Sequence, residues 1–431
     1  MGTWDAIIVG SGHNALVAGA LLARDGWSVL VLEEQDRAGG LVRTDELTLP
    51  GFHHDTYSSA HPLFTGGPAF AELGPELTEL GLEYLQPRYW TGVSMPGQGT
   101  AVLSRDLDET LAEAERLAPG DGAKFSQLLK DFEPYIGPVF ELMGSDLATK
   151  SREIHDLFHE KDGRFSEFAH LFTRTARDLL TDTFTSPVLR GTLAPWALHL
   201  GRGPEDVNSA LWVILVQVAL GAAGMPTPKG GSGQLATTLT KLIEKHGGSV
   251  QTGQRVDRIL VEDGRARGVR AGGEKHRARR AVIASVNPDQ LYLELLESVP
   301  DNLRRQAGKY RYGRGCFQIH VAMSEPPRFA DERLMHTGQP HLSGGLDALS
   351  RSVNEVARGL LPVEPTISFD APSTVDPRRC PPGKAVARLQ ILDVPTNPTG
   401  DAAGSIEVDG WTEDVKRLSP TVSSKSPGGA C

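Results

Sequence analysis

The chain has 431 residues, of which 39% are hydrophobic and 23% are charged. This composition is typical of a globular protein, and the length predicts two domains rather than one small core. The formal net charge of -10 disfavours a nucleic-acid partner, because phosphate binding needs a concentrated basic surface. The three cysteines, Cys316, Cys380 and Cys431, lack the spacing of a metal site, so we expect no metal and a reducing, cytoplasmic setting.

The longest apolar stretch, residues 211–225, is interrupted by Gln217 and is too short to span a bilayer. It predicts a buried helix, and the alternative interpretation is an apolar wall of a substrate tunnel. We expect no secretory leader, because Asp5 interrupts the first apolar run and no cationic segment precedes it. The compact basic run 275–280 alternates with small residues and predicts the solvated face of a strand.

A glycine turn follows the first predicted strand. Residues 6–9 are apolar, residues 16–22 have a helical pattern, and residues 29–33 read as a second strand. This order of strand, turn, helix and strand predicts the beginning of a parallel sheet. The turn between the first strand and the helix consists of six candidate cofactor-binding residues: Gly10, Ser11, Gly12, His13, Asn14 and Ala15.

The residues of this turn suit a bound dinucleotide. Gly10 allows a tight bend, Gly12 lets a pyrophosphate approach the backbone, and Ala15 keeps the helix close to the strand. Glu33, with Glu34 beside it, ends the second strand, where a carboxylate accepts hydrogen bonds from ribose hydroxyls and repels the ribose phosphate of NADP. The alternative interpretation is a tight turn without a ligand.

A second glycine pair follows Glu33 along the chain. The run Arg37, Gly39, Gly40, Arg43 and Thr44 resembles the signature of the FAD-dependent amine oxidase and phytoene desaturase superfamily, in its phytoene-dehydrogenase-related group. The resemblance implies that FAD is the cofactor and that Arg37, Gly39, Gly40 and Thr44 lie along its diphosphate. Arg37 or Arg43 can bind phosphate. Leu41 departs from the pattern, because this position is often basic in the family.

The segment 51–55 continues the likeness, since related proteins often have an aromatic residue and an aspartate near the flavin. His53, His54 and Asp55 could also suggest a metal site. Neighbouring residues of a strand point to opposite faces, so the two histidines could not easily share an ion. A simpler interpretation is that one histidine is on the surface and the other is packed inside.

The chain returns to the cofactor domain after residue 225. Residues 226–234 are rich in proline and glycine, residues 235–245 have a helical pattern, and residues 256–262 form a predicted strand. Asp263 and Gly264 predict a hairpin turn, and residues 281–284 a last buried strand. The resemblance implies that the backbone of Val256 contacts the adenine, and the alternative is an ordinary buried strand residue.

These patterns predict an α/β fold, α+β overall, with a Rossmann-like FAD-binding domain interleaved with a mixed helical and sheet substrate domain. We expect the FAD-binding domain at 1–65 and 226–290, and the substrate domain at 66–225 and 291–414. Trp196 and Trp212 could line an apolar cavity or simply belong to a helical core. Strands at 316–323 and 385–394 would form the sheet that roofs the flavin.

The end of the chain differs from the resembled family, which closes with a glycine-rich turn into a helix beside the flavin. Residues 415–431 have no apolar periodicity and predict a disordered or aberrant tail. We therefore hypothesise a truncated or frameshifted reading frame. Sequencing the downstream DNA tests this idea, which fails if no alternative frame encodes the missing strand, turn and helix.

The sequence predicts an FAD-dependent oxidoreductase that transfers hydride from an apolar or amine-bearing substrate to the flavin. The expected partner is a small apolar or lipid-like molecule, with peripheral membrane contact left open. No catalytic acid or base is identifiable, because the cofactor carries the redox chemistry. A redox-neutral isomerase and a truncated, non-catalytic FAD-binding remnant are the alternatives. The absence of a Cys-x-x-Cys pair disfavours disulfide reduction.

Overall fold

The computed structural model describes residues 2–145, 149–152 and 164–416. Of the tail predicted at 415–431, residues 417–431 lie outside the described residues, whereas Val415 is described and is buried. The strands are β1 (Thr3–Val9), β2 (Val29–Leu32), β3 (Thr44–Asp45), β4 (His54–Asp55), β5 (Tyr84–Leu85), β6 (Tyr89–Met95), β7 (Gly99–Ser104), β8 (Thr227–Pro228), β9 (Ser249–Gln251), β10 (Val256–Glu262), β11 (Arg265–Ala271), β12 (Glu274–Ala284), β13 (Gly315–Met323), β14 (Thr337–Leu342), β15 (Leu360–Leu361), β16 (Ile367–Asp370), β17 (Ala385–Val394) and β18 (Gly400–Asp401).

The α-helices of the described residues are α1 (His13–Arg24), α2 (Pro62–Thr65), α3 (Pro68–Glu79), α4 (Leu107–Leu117), α5 (Asp121–Met143), α6 (Arg164–Thr173), α7 (Ala176–Thr183), α8 (Pro187–Leu193), α9 (Ser209–Ala223), α10 (Gly233–Lys245), α11 (Asp301–Ala307) and α12 (Leu346–Ala357). Short 3-10 helices span Ala194–Leu200, Glu332–His336, Pro372–Thr374 and Pro377–Arg379, and a π-helical turn spans Gln290–Leu295.

The chain divides into two compact units, and the first contains residues 1–85, 226–312 and 376–386. Its sheet has the strand order β10-β11-β12-β1-β2-β9. β1 runs parallel to both β2 and β12, and β2 runs parallel to β9. A parallel sheet with the helix α1 between its first two strands is the Rossmann-like arrangement expected from the sequence.

The central strands of the first unit are buried on both faces, which explains their continuous apolar sequence. Ile8 and Val31 pack on one face with residues of α1, α3 and α10. Ile7 and Leu30 pack on the other face with residues of β10 and β11 and with Leu295. The alternation follows from the two-residue period of a strand.

The predicted hairpin turn is present between β10 and β11. Asp263 has a φ of 50° and Gly264 a φ of 72°, which are the positive angles that a tight hairpin turn requires. The basic run and the last apolar strand form one strand, β12, in which the basic residues Lys275, Arg277 and Arg280 are exposed. β12 pairs in parallel with β1 from Arg277 to Ala284.

The second unit contains residues 86–225, 313–375 and 387–431, of which the described part ends at residue 416. Its mixed sheet has the order β13-β17-β16-β14-β6-β7. The apolar stretch noted in the sequence forms α9, a buried helix in which Gln217 is 6% exposed. Among the described residues, no helix combines the length and apolar content needed to cross a membrane.

Candidate cofactor site

An open cavity of about 480 Å³ lies at the carboxyl ends of the parallel strands β1, β2 and β12. Open α/β sheets bind their ligands at this edge. The binding position is where the connections from two neighbouring strands run to opposite sides of the sheet. Seven predicted cofactor residues line the cavity: Gly10, Ser11, Gly12, Glu33, Glu34, Gly40 and Val256.

The carboxylate of Glu33 is the acidic group of the cavity with the most defined contacts. It is 8% exposed and accepts hydrogen bonds from the amide and the hydroxyl of Ser11, both at Oε2, at 2.8 and 2.6 Å. Its Oε1 accepts from the amide of Gln35 at 2.9 Å. A carboxylate with this orientation, at the end of β2, could accept a further hydrogen bond from a ribose hydroxyl.

Three glycines shape the turns around the cavity. Gly10 has a φ of +88°, and a Cβ there would lie 2.9 Å from the carbonyl oxygen of Ser285. Gly40 has a φ of +57°, and its Cβ would lie 3.0 Å from Cα of Gly12. At Gly12, by contrast, no atom of the described residues lies within 4 Å of an added Cβ. Space is left where a pyrophosphate would approach the backbone.

The helix α1 begins beside the cavity. Its N-cap residue is Gly12, which has no side chain to accept the first amide hydrogen atoms of the helix. Free amides and the helix dipole favour an anion at this position, so the backbone around Gly12 could hold a diphosphate. His13 is half-buried with its pKa lowered by burial, Asn14 is exposed, and Ala15 belongs to the core under the helix.

The predicted phosphate-binding arginines lie outside the cavity lining. Arg37 pairs with Oδ1 of Asp45 at 2.6 Å, and Arg43 pairs with Oδ2 of the same residue at 2.5 Å. Gly39 is also absent from the lining, and the turn requires glycine there because an added Cβ would lie 2.6 Å from the carbonyl oxygen of Val42; its role at the cofactor stays a prediction. The structure therefore joins both arginines to a carboxylate of the chain, and their role at the cofactor stays a prediction.

Thr44 connects the first glycine-rich region to the second. Its hydroxyl donates to Oδ1 of Asp55 at 2.8 Å and accepts from the amide of Gly233 at 2.9 Å. Oδ1 of Asp55 also accepts from the amide of Ser232 at 2.7 Å. The first amides of α10 are thus satisfied by the chain itself, so this helix start differs from that of α1.

A buried polar network surrounds Asp55. Arg379 is 1% exposed, its Nη2 lies 2.9 Å from Oδ2 of Asp55, and its Nε donates to the carbonyl oxygen of His53 at 3.1 Å. Burial lowers the pKa of His61 to about 4, and its ring nitrogens lie 2.8 Å from Oγ of Ser232 and 3.0 Å from the hydroxyl of Tyr84. At neutral pH His61 is therefore uncharged and connects α10 to β5.

One wall of the cavity was not predicted from the sequence. One part of this wall is formed by residues that come directly after β12 in the chain and by the π-helical turn. The other part is formed by the residues directly before β10. The additional lining residues with polar groups are Gln254, Arg255, Ser285, Asn287, Gln290 and Glu294. The rule that ligands bind beyond the carboxyl ends of parallel strands could have indicated residues 285–287, because residues 281–284 were already predicted as a strand.

The two adjacent histidines have different surroundings. His53 has a side chain 44% exposed, whereas His54 is buried and hydrogen-bonded to Thr48 at 2.8 Å. No group of three or more His, Cys, Asp or Glu residues in the described ranges is arranged to hold a metal ion.

The second unit contains a pair of histidines beside a tryptophan, of which His341 is buried and His199 is half-buried. Nε2 of His199 lies 2.9 Å from Nε2 of His341, and the ring of Trp196 stacks on His199 with 4.4 Å between centroids. Burial lowers the pKa of His199 to about 3 and holds that of His341 well below its usual range. Both rings are neutral at physiological pH, so this part of the unit carries no charge from its histidines.

The chain is similar to several curated proteins over most of its length. It is 26% identical to one of the subunits of limonene dehydrogenase of Castellaniella defragrans, over 93% of this chain and 75% of that protein. It is 25% identical to pyridine nucleotide-disulfide oxidoreductase domain-containing protein 2 of Rattus norvegicus, over 90% of this chain and 73% of that one. It is 28% identical to the neurosporene-forming phytoene desaturase of Cereibacter sphaeroides, over 68% of this chain and 55% of that protein.

A solved structure supports the fold. An oxidoreductase from Methanosarcina mazei superposes on 90% of this chain and 79% of its own, with a TM-score of 0.59 and 18% identity. The model of the family described as flavin containing amine oxidoreductase matches residues 16–418. The resemblance and the FAD cofactor inferred from the residues between Gly10 and Thr44 are thereby confirmed. The chain belongs to the flavin containing amine oxidoreductase family and is an FAD-dependent oxidoreductase.

Proposed function

We propose that this FAD-dependent oxidoreductase removes hydride from an apolar substrate and that the cavity of the first unit holds the adenosine end of FAD. The observation that carries the cofactor assignment is the combination of an open position at Gly12 with the buried carboxylate of Glu33. A dinucleotide needs both features, one for its diphosphate and one for its ribose.

Each part of the cavity has a separate task in this proposal. The amides at the start of α1 bind the diphosphate, Glu33 accepts a ribose hydroxyl, and the backbone at Val256 contacts the adenine. Bound FAD supplies the hydride acceptor. The protein groups bind and orient, and none of the described residues is assigned a proton-transfer role.

Two observations support an apolar substrate over an amine. Limonene and phytoene, named in two of the relatives, are hydrocarbons, and both relatives cover more than half of this chain. The second unit also buries the apolar helix α9 and Trp196, and its paired histidines His199 and His341 are uncharged. Arg388, whose charge helps to lower the pKa of His199, is buried and paired with Asp370, so this pair adds no net charge. Surroundings without net charge favour a hydrocarbon-like molecule over a cationic amine. The cytoplasmic location inferred from the cysteines stays a prediction.

Anaerobic mixing tests the proposed substrate class. The full chain loaded with FAD is mixed separately with limonene, phytoene and a linear diamine, while the visible absorbance of the flavin is recorded. We expect at least one apolar compound to bleach the flavin and to yield a product lighter by a pair of hydrogen atoms. Bleaching by the diamine without bleaching by either hydrocarbon would contradict the proposal.

Product masses separate this function from a redox-neutral isomerase. An isomerase would release a product of unchanged mass and leave the flavin oxidised after turnover. The variant Gly12→Val serves as the control without cofactor, because its side chain would fill the space left for the diphosphate. Product formation by that variant would show that the reaction does not depend on this cavity.

A further inference from the structure

Ser11 contacts the carboxylate expected to bind the ribose. Its amide and its hydroxyl both donate to Oε2 of Glu33, at 2.8 and 2.6 Å. Ser11 is fully buried and Glu33 is 8% exposed, so water competes weakly for these hydrogen bonds. Both residues also line the cavity.

The hydroxyl of Ser11 is not needed to align the strands on either side of it. β1 and β2 already pair from Ala6–Val29 to Val9–Leu32, and the amide of Gly10 donates to the carbonyl oxygen of Leu32 at 2.8 Å. The amide of Ser11 would keep one bond to Glu33 even without the hydroxyl. The amide of Gly39 lies 3.3 Å from the same hydroxyl, but it also donates to the carbonyl oxygen of Ser11 at 3.0 Å and would keep that bond. What the hydroxyl adds at Glu33 is a fixed orientation of the carboxylate.

The two carboxylate oxygens of Glu33 are used differently. Oε2 accepts two hydrogen bonds from Ser11, whereas Oε1 accepts one from the amide of Gln35. An ionised carboxylate offers about four acceptor positions, two on each oxygen. Occupation of Oε2 by Ser11 leaves Oε1 as the oxygen with room for a further donor.

We propose that Ser11 is a positioning residue for the cofactor: its hydroxyl fixes the carboxylate of Glu33 so that Oε1 accepts a hydrogen bond from a ribose hydroxyl. This inference rests on the assignment of the cavity to the adenosine end of FAD. Ser11 acts through Glu33, so its contribution exists only when the ligand has a ribose hydroxyl to donate.

The chain contains a matched control at the opposite ends of the same strands. The amide and hydroxyl of Ser28 both donate to Oδ2 of Asp5, at 2.9 and 2.8 Å. This pair also joins β1 to the start of β2, but neither residue lines the cavity. Ser28→Ala therefore removes the same kind of hydrogen bond from the same sheet, together with the bonds that this hydroxyl accepts from the amide of Asp5 and from Arg279, without touching the proposed ribose site.

Calorimetric titration of the full chain, freed of flavin, tests the inference with ADP and 2′,3′-dideoxy-ADP. We expect Ser11→Ala to weaken ADP binding about tenfold, the effect of one hydrogen bond to a charged group. The same variant should bind the dideoxy compound as the unmodified chain does. Ser28→Ala should leave both affinities unchanged, although thermal unfolding should show both variants somewhat destabilised.

Three results would overturn the inference. These are equal weakening of both ligands by Ser11→Ala, unchanged ADP binding by that variant, and equal affinity of the unmodified chain for the two ligands. Failure of the unmodified chain to bind FAD or ADP would instead refute the assignment of the cavity itself. The two failures are distinguishable, because the second appears before any variant is compared.

Discussion

Gly10 and Gly12 lie in one turn but are glycines for different reasons. Gly10 has a positive φ and faces the carbonyl oxygen of Ser285, so the fold requires it. Gly12 has a φ of -55°, which any residue adopts, and an added Cβ would enter open space. The sequence indicated both glycines, but it could not separate these reasons, because neighbouring atoms come from distant segments.

Gly12→Val is expected to fold and to lose FAD. The backbone angle tolerates a side chain, so only the space for the diphosphate is removed. We expect the FAD content of the purified variant to fall at least about tenfold, which corresponds to one unfavourable steric contact of about 1.4 kcal/mol. The control is Gly137→Val on the exposed side of α5, where an added Cβ also meets no atom of the described residues within 4 Å. Equal loss of FAD in both variants would contradict the prediction.

His61 makes the stability of the first unit sensitive to acid. Burial lowers its pKa from 6.5 to about 4, an effect that the charge of Asp55 opposes and that of His13 reinforces. Between these two pH values the unfolded chain binds a proton that the folded protein does not bind. The free energy of unfolding is therefore complete above about pH 6.5 and falls towards pH 4, by roughly 1.4 kcal/mol per pH unit.

Replacing His61 by glutamine should reduce this acid sensitivity. Glutamine cannot be protonated, and its amide can still donate to or accept from Ser232. We expect the midpoint of thermal unfolding to decline less steeply between pH 6.5 and 4 in His61→Gln than in the unmodified chain. His53→Gln, at a side chain 44% exposed, is the control and should keep the original slope. Identical slopes in all three proteins would show that His61 is not responsible.

At the scale of elements, α1 and α10 both begin after a glycine-rich turn. The first begins at Gly12 with an open position, whereas the amides at the start of α10 are bound by Asp55 and Thr44. The two turns look alike in the sequence. The distinction could not be predicted, because the carboxylate that binds Ser232 comes from 177 residues earlier in the chain.

Thr44→Val is expected to destabilise the start of α10. The change leaves the amide of Gly233 and one acceptor position of Asp55 without the hydroxyl. An unsatisfied helix cap costs about 1 kcal/mol, and we expect urea titration to show a free energy of unfolding lower by about that amount, with a correspondingly lower midpoint. Thr44→Ser keeps the hydroxyl and should restore the midpoint. A serine variant as unstable as the valine variant would indicate a packing role of the methyl group instead.

At the scale of the whole molecule, the part of the site that could be predicted from the sequence consists of residues close to one another in the chain. The strand, turn and helix from residue 6 to 24, and Glu33 at the end of β2, follow from periodicity and glycine placement. The wall at Asn287 and Glu294 and the Arg379–Asp55 pair depend on contacts between segments far apart in the chain. Single-sequence patterns carry no information on such contacts.

Ligands that fill the cavity should stabilise the molecule in proportion to their affinity. FAD at a hundred times its dissociation constant is expected to add about 2.7 kcal/mol to the free energy of unfolding. ADP should also raise the midpoint of thermal unfolding, whereas FMN, which lacks the adenosine, should not. Scanning calorimetry with each ligand checks this expectation. Stabilisation by FMN equal to that by FAD would mean that the cavity does not bind the adenosine end.

The division of the first unit into three chain segments has a consequence for its biogenesis. β1 and its glycine turn leave the ribosome before their partner strand β12, which follows only after residues 86–225 of the second unit have been made. Closure of such long loops is slow, and Arg379 reaches Asp55 later still. The cavity is complete only when Leu295 has been made, so we expect FAD to be captured after residues 86–225 have been synthesised and not when the glycine turn emerges.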